Sequence, residues 1–524
     1  MKYEMRRMKN SPRSIVDSRQ STVHGWQSVV YCRKQTVDRR LWTVYLSIIG
    51  CVFSFTSCDN YLEETPDNRV DLNNLDKAAQ LLTNAYPEAS YYFTEWMGDQ
   101  IAYTQGTRKR QNELRIYSWE EVGADPTDQD TPEFYWNATY NAIAHANEVL
   151  AVVDQFPGEE ARRRAVKGEA LLARAYGHFM LVNLFAKHYD ATTAGSDLGV
   201  PYVTEPETEF IKTYRRATVE RVYELVEADM LAGLEMVNGS FYANSGKYHF
   251  TRESALAFAS RFYLWRGRDR ADIEASIRYS NELLGADPNN YIKDIPDLLQ
   301  RRINTDDYIR LYTSPNDPSN LLLIRQETLI YNNIGFYPDG NQYRELFDAN
   351  PFGATDLRAD PAFRIGEDGI LVAKFEPLFQ RTSLTSDVGF PYTIFMGFRG
   401  EEVLLNRAEC YALLNQLDLA VADLQALSSK RFDEPVTLDL ETIRRYIGSV
   451  DAQNDVLVYI LELERPKEFI HEGLRWFDIK RYNLPVEHAF PDGTTITLER
   501  EDNRKALQIP EAAQDIGKLR PNPR

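Results

Sequence analysis

Three glutamates recur every fourth residue in ELERPKEFIHEGLRWFDIKRY (462–482): Glu464, Glu468 and Glu472. Paired carboxylates can hydrolyse a glycosidic bond, one as acid and the other as base or nucleophile, but they must face each other across the substrate. Residues four apart on a helix share one face instead. Arg465, Arg475 and Arg481 lie close enough in sequence to supply counter-charges. The spacing therefore predicts a structural ion-paired network on a scaffold helix. The seven histidines (His24, His145, His178, His188, His249, His471 and His488) are scattered, and none sits at metal-ligand spacing with another donor set. HExxH, GxSxG, P-loop, GxGxxG and CxxC patterns are all absent. No catalytic residue, metal or cofactor is expected, and the chain reads as a non-enzyme.

Cys58 offers a different chemistry. Residues 41–57 (LWTVYLSIIGCVFSFTS) are apolar and uncharged, yet fewer than the roughly 20 needed to span a bilayer. Arg33, Lys34, Arg39 and Arg40 precede them, which is the layout of a secretory signal. The run ends Phe55-Thr56-Ser57-Cys58, and small residues leading into a cysteine look like a lipobox. A diacylglycerol thioether on Cys58 would supply two acyl chains, enough for stable anchoring. Residues 1–57 are thus expected to be an N-terminal extension plus a signal that is removed, and 58–70 a lipidated tether. Residues 1–30 carry no core pattern, and no methionine lies between Met8 and Met97. A start at a non-methionine codon such as that of Val37 is expected.

Removing the leader sharpens the charge. The full chain has 60 basic and 78 acidic residues, net −18; residues 58–524 keep 50 and 75, net −25. Nucleic acid is a poor partner for such a surface. Of Cys32, Cys51, Cys58 and Cys410, only Cys410 is left without a place in the leader or anchor. No intramolecular disulfide is available to the mature chain, so it must fold on an apolar core.

Aromatic residues make up 12% of the chain, and flat sugar faces stack on Trp and Tyr. Tyr176, Phe179, Trp265 and Trp476 read as core by helical periodicity. Residues 91–119 lie outside the repeats and hold Tyr91, Tyr92, Trp96, Tyr103, Tyr117 and Trp119 among Asp99, Gln105, Arg108 and Gln111. Trp96, Asp99, Tyr103, Tyr117 and Trp119 are the expected ligand-binding residues.

Helices must position these groups. Leu72–Ala85 and Phe134–Val153 read as helical. In ARRRAVKGEALLARAYGHFMLVNLFAKHY, apolar stripes on more than one face predict a helix packed on several sides. Its Gly168, Ala170, Ala173 and Gly177 would let neighbours approach closely. Further helices are expected at 218–237, 251–267, 271–285, 400–428 and 454–482. Between 286 and 395 the pattern weakens to irregular loops with a few short strands, among them Asn320–Arg325, and the tail from 486 reads as irregular. AECYALLNQLDLAVADLQAL (408–427) and FYLWRGRDRADIEASIRYSNELL (262–284) are similar to the tetratricopeptide pattern of small residues at helix crossings. The fold is read as mainly α, with tetratricopeptide-like stacked helical hairpins carrying long loops.

Several blocks resemble the SusD/RagB family of outer-membrane nutrient-binding lipoproteins. They are CDNYLEETP (58–66), FYWNATYNAIAHANEVL (134–150), KGEALLARAYGHFMLVNLFAKHYD (167–190), GVPYVTEPE (199–207), RRATVERVYELVEADMLAGLEM (215–236), RGEEVLLNRAECYA (399–412) and ERPKEFIHEGLRWFDIKRYNLPVEH (464–488). Residues 87–130 follow the family pattern poorly. The resemblance divides the mature chain into a SusD-like N-terminal helical region, 71–285, and a RagB/SusD C-terminal region, 286–524. It implies a surface-exposed lipoprotein of the outer membrane that captures an oligosaccharide, or a peptide as in the RagB branch, for a SusC-like TonB-dependent barrel. Loops around 91–119, 320–345 and 380–395 are expected to meet ligand or barrel. A surface glycoside hydrolase and a tetratricopeptide adaptor that binds only protein are the alternatives.

Overall fold

Several helices begin at a side chain that satisfies a free N–H group. Asn74 Oδ1 accepts from the Lys77 N–H at 3.0 Å and starts α1 (Leu75–Leu81). Thr131 Oγ1 accepts from Phe134 at 3.3 Å and starts α2 (Pro132–Val152), with Pro132 in the first turn, where its missing N–H costs nothing. After α3 (Glu160–Phe185), Thr218 caps α4 (Val219–Met236). Thr251 and Ser254 form a capping box at α5 (Arg252–Arg266), which stops at Gly267 with φ +49°; Asp269 then caps α6 (Arg270–Leu284). α7 (Gly400–Leu413) and α8 (Leu417–Ser428) turn over left-handed Asn415, φ +57°.

These helices pack side by side: α3 between α2 and α4, α5 on α6, and α7 against α5, α6 and α8. The mainly α architecture of stacked hairpins is therefore as expected. Small residues set the spacing. A Cβ on Gly168 would lie 2.6 Å from the Val237 nitrogen, and one on Gly177 would lie 2.9 Å from Ile143 Cγ1. α3 is buried on nearly every side from Ala165 to Phe185.

The computed structural model describes residues 72–207, 212–242 and 245–524. Cys58, the expected leader and the tether lie outside the described residues. One hydrophobic core runs through Tyr86, Phe179, Phe258, Phe398, Trp476 and Leu519, so regions on both sides of residue 285 share it. Burying each such large side chain contributes about 1.5–3 kcal/mol.

Three expectations are corrected. The 286–395 stretch holds three short helices besides its strands: Ile295–Arg301, Thr305–Tyr312 and Gly340–Asp348. Its apolar run at 320 is a buried strand, as expected, β1 (Asn320–Glu327). After the hairpin of β2 (Ala362–Ile365) and β3 (Gly369–Val372) come β4 (Leu378–Arg381) and β5 (Gly389–Arg399). β5 is central, antiparallel to β1 and β4, with Ile324 opposite Phe395 and Gln380 opposite Phe390.

The expected single helix at 454–482 is broken. Ala452–Val458 leads into a π-helical turn, Tyr459–Glu464, then a short helix, Arg465–Glu468, and a reversal before α9 (Arg475–Arg481). Pro466 has no N–H to continue the ladder, and a widened turn accommodates it. His471 and Gly473 then adopt φ +66° and +72°. The tail is also less irregular than expected. It forms a hairpin of β6 (Val486–Ala489) and β7 (Thr495–Leu498). Asn522 Nδ2 then donates to the Phe185 and Leu507 carbonyls at 2.8 and 2.7 Å, pinning the end of the chain to the C-terminus of α3.

Candidate functional site

The three glutamates sit in the interior, each answered by a cation. Glu468 accepts from Arg431 Nε at 2.9 Å, from Arg399 Nη1 at 3.1 Å and from Arg358 Nη1 at 3.4 Å. Glu472 accepts from Lys374 Nζ at 2.9 Å and Arg399 Nη2 at 3.0 Å, and Glu464 from Arg358 Nη1 at 2.8 Å. Burial pushes the Glu468 carboxyl up, but Arg431, Arg399 and Arg358 outweigh it and hold it well below the usual carboxylate range. A carboxyl so held does not serve as a general acid near neutral pH. The network is structural, as the spacing predicted, but its partners differ. Arg465 pairs with Asp478 at 2.8 Å, Arg475 with Asp99 and Glu462, and Arg481 with Glu409 and Asp478. The glutamates take their cations from distant segments, and the turn at 469–474 leaves Glu472 outside the helix.

The 91–119 segment turns Trp96, Tyr117 and Trp119 inward rather than presenting them to solvent. Trp96 is fully buried, and a Cβ on Gly335 would lie 2.6 Å from its ring. Tyr117 is buried between Phe336 (centroids 4.0 Å apart, 7° between planes) and His488 (4.2 Å, 14°), and its hydroxyl donates to the Ala489 carbonyl at 2.8 Å. Trp119 covers the other side of His488 at 4.3 Å, and its indole N–H donates to the Met97 carbonyl at 3.0 Å. With both faces covered, the Tyr117 ring offers no platform for a sugar. Asp99 and Tyr103 stay nearer the surface. Asp99 accepts from Arg475 Nη2 at 2.6 Å. Tyr103 is half-buried, with the Lys109 ammonium 4.6 Å over its ring. Burial lowers Lys109 to about 8, against the pull of Asp368.

The β4–β5 hairpin carries aromatic side chains outward. Phe379 and Phe390 are about half exposed, and Leu384 and Val388 near the tip are open to solvent. Arg325 lies 4.5 Å over the Tyr392 ring beside them.

A cleft of about 900 Å³ opens where five segments meet. They are the chain leaving α3 (187–197), the α5–α6 turn, the end of α7, the end of α9, and residues 500–506. Its floor is cationic. Lys480 Nζ donates to the carbonyls of Asn183 and Ala186 at the end of α3, and Lys505 Nζ to Asn483 Oδ1 at 2.8 Å. Burial lowers Lys480 to about 7, with Lys505 adding to the effect. Burial likewise lowers Lys505 to about 8, against the pull of Glu501. His188 is pushed down to about 3, by burial first and then by Arg481 and Lys480, so its ring is neutral. Sequence reasoning missed this cleft because its residues come from five separated stretches, none with a motif. The one available signal was the cluster of charge at 499–505.

Among the described residues, no His/Cys/Asp/Glu group could hold a metal ion, and no helix is long and apolar enough to cross a membrane.

Comparison with known proteins agrees with this architecture. Residues 60–264 match a SusD-like family described as starch-binding and associating with the outer membrane, and residues 368–518 match the SusD family. A SusD-like protein of Formosa agariphila is 21% identical over 508 residues, 83% of this chain and 90% of that one. A SusD superfamily structure from Bacteroides thetaiotaomicron superposes with a TM-score of 0.63 at 19% identity, covering 86% of this chain and all of the other. A SusD-like carbohydrate-binding protein from Bacteroides vulgatus gives 0.57 at 19% identity, over 85% and 97%. A laminarin-binding SusD-like protein gives 0.57 at 18% identity, over 86% and 99%. With both halves matched and the helical scaffold shared, the chain belongs to the SusD/RagB family.

Proposed function

We propose that the protein captures an oligosaccharide at the outer surface of the outer membrane and passes it, unaltered, to a SusC-like TonB-dependent barrel, held to the membrane by lipid on Cys58. The observation that carries the reading is the pairing of a rigid, ion-locked scaffold with a large open cleft. The cleft is within the range of ligand sites, about 300–1,000 Å³. The carboxylates best placed in sequence for hydrolysis are buried against arginines, which favours binding over cleavage. The relatives named for carbohydrate or laminarin binding support a glycan over a peptide. Asp99 and Tyr103 remain candidates for peripheral ligand contacts.

The test is calorimetry of the lipid-free protein against a glycan panel, with chromatography of the sugar afterwards. Binding with no shortened product is expected. Shortened products would favour the hydrolase, and a panel without binders, with peptides that do bind, would favour the RagB-like reading. Co-purification of a barrel protein after mild detergent extraction tests the partner.

A further inference from the structure

The cleft poses an electrostatic problem. Lys480 and Lys505 are both buried, and Lys505 lies close enough to lower the affinity of Lys480 for a proton. Among the described residues neither has a carboxylate at ion-pairing distance, and the same holds for exposed Arg500, which lines the same cleft. Neither ring nitrogen of His188 has a protein partner there either. Lys480 is held only by the Asn183 and Ala186 carbonyls, and Lys505 only by Asn483 Oδ1 and the Arg500 carbonyl; buried cations answered by neutral oxygens alone are costly, and here they occur in a chain whose expected mature part carries net charge −25.

The helix end explains part of this. Lys480 meets the last carbonyls of α3, a position that favours a cation. It does not account for Lys505, Arg500 or the open face of His188. The acids lining the cleft are already engaged. Asp190 takes the Thr192 N–H at 2.7 Å, Asp269 caps α6, and Asp502 pairs with Arg504 at 2.7 Å. Asp197 accepts from Thr193 at 2.6 Å and lies 3.9 Å from Lys187. Glu501 accepts from Asn483.

We propose that this cleft takes the anionic group of an acidic oligosaccharide, a carboxylate or a sulfate, between Lys480, Lys505, Arg500 and His188. The proposal rests on the carbohydrate reading above. Two ammonium groups and a guanidinium give charge-assisted donors to the acid, and the neutral imidazole supplies one N–H. Neutral rings of the same sugar would leave the cations unanswered, which gives selectivity for the acidic form.

The experiment is calorimetry with uronate-containing and sulfated oligosaccharides, each beside its carboxyl-reduced or desulfated counterpart. The native protein is compared with Arg500→Gln, which alters an exposed side chain, and Lys505→Gln, whose folding is checked by thermal unfolding. Binding of an acidic member, loss on neutralising the sugar, and a drop of at least about 10-fold in both variants would support the proposal. Sulfated and carboxylated arms distinguish which acid is read. Equal binding of a neutral counterpart, or unchanged acidic binding in Arg500→Gln, would overturn it and leave the carbohydrate reading intact. No binding to any member, acidic or neutral, would overturn both.

Discussion

Arg431 Nε donates to Glu468 Oε2 at 2.9 Å, joining two fully enclosed side chains 37 residues apart. Removing one partner of such a buried pair leaves an uncompensated charge and typically costs about 3–5 kcal/mol. Arg431→Met is expected to lower stability by that order in urea unfolding, with Glu468→Gln similar. The double variant should lose less than the sum, because the two changes share one interaction. Strict additivity would mean the pair is not coupled.

Much of this network was legible before the structure, and its partners were not. The repeat of Glu464, Glu468 and Glu472 pointed to ion pairing, because like-facing carboxylates need cations. Arg358, Arg399 and Arg431 sit 37 to 110 residues away in sequence from Glu468, so nothing local linked them to the glutamates. The helical hairpins were readable from stripes of apolar residues and from Gly168 and Gly177. The inward turn of Trp96, Tyr117 and Trp119 was not, since sidedness has no signal where the backbone has no regular period. The cleft has the same cause: Lys480 lies in a recognisable block, but Lys505, Arg500 and His188 approach it only through tertiary packing.

Glu95 is buried, and its carboxyl is raised to about 7, by burial first, against a hydrogen bond from the Gly473 N–H. An unfolded glutamate titrates near 4.3. Between about pH 4.3 and 7 the folded state therefore holds a proton that the unfolded state has lost. Stability falls as pH rises through that window and levels off above it. Glu95→Gln keeps an acceptor for Gly473 and removes the titration. Relative to native protein, the variant should gain about 3 kcal/mol between pH 5 and 8. Parallel stability curves across that range would refute the raised carboxyl.

Trp96 fills a space bounded closely by Gly335. Trp96→Ala is expected to cost about 3–5 kcal/mol through the cavity it leaves. In protein that remains folded, glycan affinity should be unchanged, because the ring faces no solvent. Tyr103→Ala reverses the pattern, with a small loss of stability and a measurable loss of affinity if the ligand extends to this surface. Calorimetry and unfolding on the same preparations separate the two. A loss of affinity confined to Trp96→Ala would restore the tryptophan as a contact residue.

Phe379, Leu384, Val388 and Phe390 expose apolar surface along one hairpin, and such patches commonly mark protein contacts. Phe379 and Phe390 lie on opposite faces of the β4–β5 ladder, since Phe379 is opposite Pro391 and Phe390 opposite Gln380. Neither is enclosed by the core. Replacing both by serine should therefore change the unfolding midpoint little, within about 0.5 kcal/mol per site. Glycan affinity should hold if the cleft is the binding site, because the cleft is lined by other segments. The amount of barrel protein recovered in a mild-detergent pull-down should fall. Full recovery with the native stability retained would show that the hairpin is not the docking element, and the exposed rings would then be free to serve as sugar platforms.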